Sequence, residues 1–335
     1  MSSQDAERAV EAYLTKLSEL KKKLHAKLGI GDIEPADDGL WHGDIILSVD
    51  QIENMMQYLD SLTKDHIVSF GRKKRIASLY FDNFDDGLDD YKWQLPIPYW
   101  VSANFTPSET LQIDAAINNI STYTDCIKFV KDSNPSSHGP QIQFFKTTGN
   151  GCSGISSLGY VGVNMIHLAS ANCANHDLLK GLVMREIIHS LGGDDEQARF
   201  DRDRYITILW DNIDPQQQSQ YWYNSYTTSY GVPYDYKSIM HFEQGKYAIA
   251  PGLTTMSPNS TIAGATNIAL GGVKLTSNDI LALKRMYCVK TDCHDLFYEC
   301  GDWAIDGDCT SSEWSWWMKD YCPRSCGCCD LDKSC

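Results

Sequence analysis

The sequence lacks several features that mark other classes of protein. No apolar run is long enough to span a membrane, which argues against a membrane-spanning helix. Basic residues are in deficit, with 29 Lys and Arg against 44 Asp and Glu, a formal net charge of -15. That balance argues against nucleic acid as a partner, because phosphate binding needs a basic surface. The 335 residues, 42% of them hydrophobic, instead predict a soluble globular protein with one sizeable core and room for a small extra module.

Cysteine is absent from the first 125 residues and becomes dense near the end. All twelve cysteines lie between Cys126 and Cys335, and seven of them fall from Cys300 onward. Such density near a terminus indicates a disulfide framework, or less often a zinc module, and therefore an oxidising compartment. The first residues are polar, with no apolar segment of the kind a signal peptide needs. We therefore expect a secreted protein whose start is incomplete in this sequence.

Three triplets fit the pattern for N-glycosylation, which a secreted protein would carry on its surface. They begin at Asn104, Asn119 and Asn259. Such triplets are also common by chance, so they are candidate sites only.

The first block of the chain has a helical pattern. Leu and Val recur at helical spacing from Val10 to Leu28, which predicts an amphipathic helix ending near Gly29. Ser48 is placed to cap a second helix.

A basic run, "GRKKR", follows at residues 71–75. It fits either a solvated turn or a processing site for a dibasic-specific convertase. We favour processing, because the run separates two blocks of different composition. Cleavage after Arg75 would release everything before Ile76.

Alternating strand and helix patterns follow, which predict a mixed α/β domain. Strands are predicted within 94–105, 127–131 and 142–148, and helices from Ser108 to about Tyr123 and over 177–192, the second ending at Gly192-Gly193.

The second of these helices carries part of a zinc-protease pattern. Such proteases use two histidines four residues apart, because that spacing puts both imidazoles on one helix face. A glutamate after the first histidine serves as general base, and a glycine three residues past the second turns the chain toward a third ligand. Glu186, His189 and Gly192 fit this pattern, whereas Arg185 and Asp195 stand at the first and third ligand positions. A Glu and a His three residues apart are weak evidence alone.

Other segments strengthen the interpretation. "YDYKSIMHF", residues 234–242, resembles the Met-turn of the astacin family, with Met240 beneath the metal. "DEQARFDRDRYI", residues 195–206, resembles the segment after that family's third histidine, and residues 152–173 resemble its strand-and-disulfide region. From about Ile76 to Val289 the chain is therefore similar to an astacin-like metalloprotease domain. The resemblance implies an α/β (α+β) metzincin-like fold of two lobes, a zinc cofactor, and peptide or protein substrates.

The resemblance extends to the first block. "GLWHGDIILS", residues 39–48, resembles the astacin propeptide motif, in which an aspartate, here Asp44, blocks the zinc. It implies a helical propeptide over residues 1–75, and hence a zymogen. It also implies a new amino terminus at Ile76 that meets Glu196. The family pairing implies the disulfides Cys126–Cys288 and Cys152–Cys173.

Three departures from the family pattern affect the chemistry. Arg185 has no lone pair to offer a cation. Asp195 can still ligate zinc through a carboxylate oxygen. Phe242 replaces a tyrosine whose hydroxyl steadies the oxyanion, and losing such a donor costs on the order of a hundredfold in rate. His167 and His176 could lend a ligand, although surface or core roles are more common for a lone histidine.

Arg185 and Asp195 also have complementary charges. They could form a pair where the zinc would sit, which would satisfy the buried charge. Independent decay at a relaxed site would give the same two residues.

The carboxy-terminal block resembles the ShK-toxin-like domain, with six cysteines in the order and closing spacing of that family. Residues 290–329 would form this module, followed by a tail at 330–335. The resemblance implies the bridges Cys293–Cys329, Cys300–Cys322 and Cys309–Cys326, which would supply the stability that so small a core lacks. Cys328 and Cys335 are left over and could pair.

Three interpretations of function remain. By family the chain is a zinc metalloendopeptidase, in which Glu186 activates water on a metal held by His189 and Asp195. The departures predict little or no hydrolysis, and so an inactive pseudoprotease that binds proteins. A ligand for ion channels, acting through the tail, is a third possibility. Trp314, Trp316 and Trp317 would then be a contact patch, although they could equally be the module's core.

Overall fold

The computed structural model describes most of the chain. The described residues are 3–28, 32, 34–61, 92–136, 139–148, 151–222, 228–261, 268–290, 293–297 and 299–330. The expected cleavage point after Arg75, the new terminus at Ile76, and Cys335 lie outside them. Within the described residues the helices are α1 (Ser3–Leu28), α2 (Val49–Ser61), α3 (Pro107–Thr124), α4 (His176–Ser190), α5 (Ser277–Tyr287), α6 (Cys300–Ile305) and α7 (Ser315–Tyr321). The strands are β1 (Ile45–Ile46), β2 (Ile97–Val101), β3 (Phe129–Lys131), β4 (Gln141–Lys146), β5 (Ser153–Ser157), β6 (Val163–Ala169), β7 (Ile206–Ile208) and β8 (Met256–Pro258).

The amino-terminal segment, residues 3–61, contains the two helices that the sequence predicts. Ser48 and Gln51 form reciprocal hydrogen bonds between side chain and backbone, which cap α2 as expected. The leucines of α1 pack on α2 in a buried cluster that also takes in Trp222 from the main domain. The segment therefore completes its core only against the rest of the chain.

The main sheet runs in the order β1-β5-β6-β4-β2-β3 among the described residues. The antiparallel pair in it is β5 with β6, and the other neighbours are parallel. The amino-terminal segment thus supplies an edge strand, β1, that pairs with β5.

Helix α3 begins slightly earlier than the sequence pattern predicts. Thr106 caps it, with Glu109 completing a capping box and Pro107 in the first turn. The predicted start at Ser108 was wrong because Pro107, which lacks an amide hydrogen, is suited to that first turn.

Two apolar clusters define two lobes of the main domain. The first lies between the sheet and helices α3 and α4, and is closed by α5. The second lies around β7 and β8 and includes Phe242 and Tyr221. The Cys126–Cys288 disulfide lies at the edge of the first cluster, and Cys152–Cys173 joins the start of β5 to the segment before α4. These are the lobes and bridges that the resemblance implies.

The carboxy-terminal module contains the three expected bridges, Cys293–Cys329, Cys300–Cys322 and Cys309–Cys326. Its core is small and rich in sulfur, with Cys300, Met318 and Cys322 buried. Trp317 packs against this core, whereas Trp314 and Trp316 are exposed. Of the described helices, none is both long enough and apolar enough to cross a membrane.

Candidate active site

Helix α4 and the turn after it position the central residues of the site. Asn175 caps α4 through its side chain. At the other end Gly192 has a φ of +102°, a conformation that favours glycine, and so lets the chain reverse. His189 Nδ1 lies 2.9 Å from the carbonyl oxygen of Gly193, which fixes the imidazole ring and leaves Nε2 facing the site. The turn carries Asp195 back toward α4.

Arg185 occupies the middle of the site. Its Nη2 forms an ion pair with buried Asp195, and its Nε and Nη2 both lie 3.0 Å from Oδ2 of Asp44. Its Nη1 donates to the carbonyl oxygen of Ile239 at 3.3 Å. Burial opposes the charge, but the carboxylates of Asp195 and Asp44 outweigh it and raise the pKa of Arg185. The guanidinium is therefore a fixed cation here.

Three ligand atoms converge beside that cation. Oxygens of Asp44 and Asp195 lie 3.8 and 3.7 Å from Nε2 of His189. Within the described residues this is the group of three acidic or histidine side chains close enough to hold a metal ion. His167 and His176 do not join it, because His167 stacks on Phe145 and His176 contacts Ser108.

Glu186 is fully buried next to this group. It lies against β5 at Gly154 and close to Ser156. Burial, followed by the charge of Asp44, raises the pKa of Glu186 well above its usual range. A general base must be ionised, and burial beside Asp44 disfavours the ionised form of Glu186 in this form of the chain.

The segment expected to form the Met-turn, residues 234–242, contacts α4 and the turn after it. The carbonyl oxygen of Met240 accepts a hydrogen bond from the amide of Glu196 at 3.1 Å. The amide of Phe242 donates to the Gln197 side chain, and the Phe242 ring centroid lies 5.7 Å from the Arg185 guanidinium carbon. The aromatic ring of Phe242 offers Arg185 a π face and has no hydroxyl group.

Glu196 is held by neighbours of its own domain. Its carboxylate accepts from the Asp235 amide at 2.7 Å and from Arg199 at 3.1 Å. Burial raises the pKa of Glu196 to about 7. Its expected contact with Ile76 involves a residue outside the described ranges and stays a prediction.

Asp44 reaches the site because residues 43–46 lie along β5. The amide of Ser156 donates to the Asp44 carbonyl oxygen at 2.9 Å, and Ile45 pairs with Ser156 in the parallel register. Gly43 has a φ of +81°, and a β-carbon there would overlap the hydroxyl group of Tyr247. The resemblance implied that Asp44 would bind a zinc ion. Its hydrogen bonds to Arg185 were not predicted.

Two further residues of the site were not singled out from the sequence. His42 is buried with Nδ1 3.5 Å from Asp194 and 3.9 Å from Asp195. Gln197 bridges the site, since its amide nitrogen donates to Asp195 at 2.8 Å. Both residues lie inside segments that resemble astacin motifs. Their location in these segments is the feature of the sequence that could have identified them.

The candidate glycosylation sites differ in exposure. Asn104 is exposed, whereas Asn119 and Asn259 are half-buried. The Asn259 side chain also contacts the carbonyl oxygen of Arg204 at 3.4 Å. Modification at all three stays a prediction.

Two segments of the chain match models of known protein families. Residues 87–288 match the model of astacin, peptidase family M12A, and residues 292–329 match the ShK domain-like model. The chain is 30% identical over 318 residues to zinc metalloproteinase nas-10 and 32% identical over 305 residues to zinc metalloproteinase nas-9, both from Caenorhabditis elegans. These alignments take in 93% and 89% of this chain but 57% and 54% of the relatives, so the chain spans little more than half their length.

A solved structure also matches, that of high choriolytic enzyme 1, a hatching-enzyme zinc protease from Oryzias latipes. It has 28% sequence identity and a TM-score of 0.49, and the match covers 63% of this chain and 96% of that one. The family model alone spans more than half of the present sequence. With the helix, the turn and the disulfides in family order, the chain belongs to the astacin family, peptidase family M12A, and carries a ShK-like domain at its carboxy-terminal end.

Proposed function

We propose that this chain is a secreted astacin-family protein that binds peptides in its cleft and hydrolyses them weakly or not at all. The observation that carries the proposal is Arg185, whose guanidinium bonds both carboxylates of the candidate metal group. The family's zinc-dependent chemistry would need those oxygens for the metal.

Electrostatic repulsion from Arg185 explains why the site would bind zinc weakly. A divalent cation about 4 Å from a guanidinium is repelled by roughly 8 kcal/mol at an effective dielectric constant near 20. Structural zinc sites bind with an apparent free energy of roughly 10–16 kcal/mol, so this repulsion would cancel most of the affinity. Removal of residues 1–75 would also take away Asp44, leaving His189 and Asp195 as ligands. The residues present therefore do not fit a zinc ion while Arg185 keeps its place.

What remains suits recognition of a peptide. Strand β5 lies at the edge of the main domain's own sheet, and in this structure β1 pairs with it. An edge strand binds extended peptides through its backbone, whether or not a metal is present. We propose that processing after Arg75 exposes this edge to a peptide or protein ligand.

An impaired zinc endopeptidase is the second candidate. His189 and Asp195, two members of the candidate metal group, stay in the chain after processing, which favours it. Glu186 also stands at the position of the family's general base.

Metal analysis of the processed protein, combined with a peptide-hydrolysis assay, separates the two candidates. We expect zinc well below one equivalent and no hydrolysis above that of the Glu186→Gln variant. Restoring His at 185 and 195 and Tyr at 242 together should restore zinc binding, because the helix register and the Gly192 turn are in place. Stoichiometric zinc in the unmodified protein, with hydrolysis lost on Glu186→Gln, would show a working enzyme.

A further inference from the structure

The two carboxylates on Arg185 come from different parts of the chain. Asp195 belongs to the main domain, three residues after the turn that ends α4. Asp44 belongs to the amino-terminal segment and arrives on the strand that pairs with β5. One partner is therefore permanent, and the other is delivered by an added peptide strand.

The hydrogen-bonding capacity of Arg185 shows what the second partner supplies. Asp195 accepts from Nη2, and the carbonyl oxygen of Ile239 accepts from Nη1. Nε donates to Asp44 at 3.0 Å, and Nε has a single N–H. Without a strand on β5 this donor would face the open cleft, where water would take the place of Asp44, so the added strand supplies a charged acceptor that the main domain does not.

We propose that Arg185 is a carboxylate-recognition residue, and that the cleft selects extended peptides with an aspartate at the position that Asp44 fills. The inference rests on the proposed function, since a zinc ion in this place would displace the guanidinium. The aspartate side chain is the source of the carboxylate, because the backbone of residue 44 continues on both sides and is itself bonded to β5.

The neighbours of Asp44 narrow the ligand further. Glycine is favoured at residue 43, because its φ is positive and a β-carbon there would require the Tyr247 side chain to move. Ile45 is fully buried, but it belongs to an apolar cluster formed mainly by the amino-terminal segment itself, so its burial does not constrain a ligand that binds after this segment has left. The preferred ligand is an extended segment with glycine before the aspartate, running parallel to β5.

Competition on the intact chain tests this inference. Residues 71–75 are replaced by a site for a sequence-specific protease, the chain is cut, and the labelled amino-terminal fragment is left bound. Synthetic peptides of residues 36–50 with Asp, Asn or Glu at position 44 then displace the fragment, with and without a chelator. We expect the Asp peptide to compete about ten- to hundredfold more strongly than the Asn peptide, as for a lost charged hydrogen bond. The chelator should change nothing.

A matched variant assigns the effect to Arg185. In Arg185→Gln combined with Asp195→Asn both charges of the main domain leave together, so Asp195 is not left as a stranded buried charge. The Asp and Asn peptides should then compete within about threefold of each other. If this variant does not fold, the dissociation rate of the labelled fragment from the unmodified main domain is measured instead. A fragment carrying Asp44→Asn should then dissociate at least about tenfold faster than the unmodified fragment.

The outcomes separate the two proposals. Equal competition by the Asp and Asn peptides in zinc-free protein overturns carboxylate recognition and leaves the proposed function standing. A preference for Asp that disappears with the chelator, in protein containing stoichiometric zinc, overturns both. A preference for Asp that persists without zinc and requires Arg185 supports both.

Discussion

Two arginine–aspartate pairs join the flanking regions to the main domain, and they differ in burial more than in distance. Arg185 meets Asp44 of the amino-terminal segment at 3.0 Å, with side chains 12% and 18% exposed. Arg204 meets Asp306 of the carboxy-terminal module at 2.7 Å, with side chains 51% and 37% exposed. The shorter contact is the weaker one, because an exposed pair contributes about 0–1 kcal/mol, whereas breaking a buried pair costs several.

The two regions also differ in what holds them folded. The amino-terminal segment lends a strand to the main sheet and completes its core with Trp222 of the main domain. The carboxy-terminal module has its own core and three internal bridges. We therefore expect the amino-terminal segment to depend on the main domain, and the module to be a separate folding unit.

The largest effect should follow from removing the cation of the buried pair. Arg185→Met leaves Asp44 and fully buried Asp195 without a positive partner. We expect a loss of about 3–5 kcal/mol in the free energy of unfolding, measured by chemical denaturation. Arg185→Met combined with Asp195→Asn should recover much of it. An unchanged denaturation midpoint in the single variant would show that burial does not distinguish the two pairs.

The next effect tests the independence of the carboxy-terminal module. Changing Cys300 and Cys322 to Ala together should destabilise the module by about 3 kcal/mol, because that bridge closes a loop of about 22 residues. The signal is the fluorescence of Trp303 and Trp317, which pack on the bridge. Helix α4 should keep its amide protection from hydrogen exchange. Loss of that protection would show one cooperative unit.

The two regions differ in how much of their structure could be predicted from the sequence. The bridges of the module were implied by its resemblance to the ShK-like family, and the helices of the segment were predicted from the spacing of their apolar residues. The Arg185–Asp195 pair was foreseeable because both residues stand at ligand positions of one site. Its extension to Asp44 was not, because it depends on a strand that pairs more than one hundred residues away along the chain, with Ser156. The start of α3 was missed because local capping chemistry at Thr106 set it.

A smaller effect should come from Asp302, which lies where the module meets the main domain. Burial, followed by the charge of Asp201, raises the pKa of Asp302 to about 7. In the unfolded chain an aspartate titrates near 3.9, so the folded state holds a proton that the unfolded state loses. This contribution to stability is fully present below about pH 4 and is lost as the pH rises through 7.

Asp302→Asn removes that dependence on pH. As the pH rises from 5 to 8, the unmodified protein should lose about 2 kcal/mol of unfolding free energy that the variant does not lose. Urea denaturation of both proteins at the two pH values measures this difference. Asp308→Asn, a change at a neighbouring acidic residue of the same module, is the matched control and should show no such trend. A gain that is the same at both pH values would rule out titration of Asp302 as the cause.

The smallest effect should come from the exposed pair itself. Arg204→Met is the counterpart of Arg185→Met, since each removes a guanidinium from an aspartate of a flanking region. We expect it to cost less than about 1 kcal/mol, because water and salt already screen both side chains. Raising the salt concentration to 1 M should remove even this difference, while leaving most of the Arg185→Met loss. Equal losses in the two variants, with equal sensitivity to salt, would mean that the distance between the charged groups, and not their burial, sets the strength of both contacts.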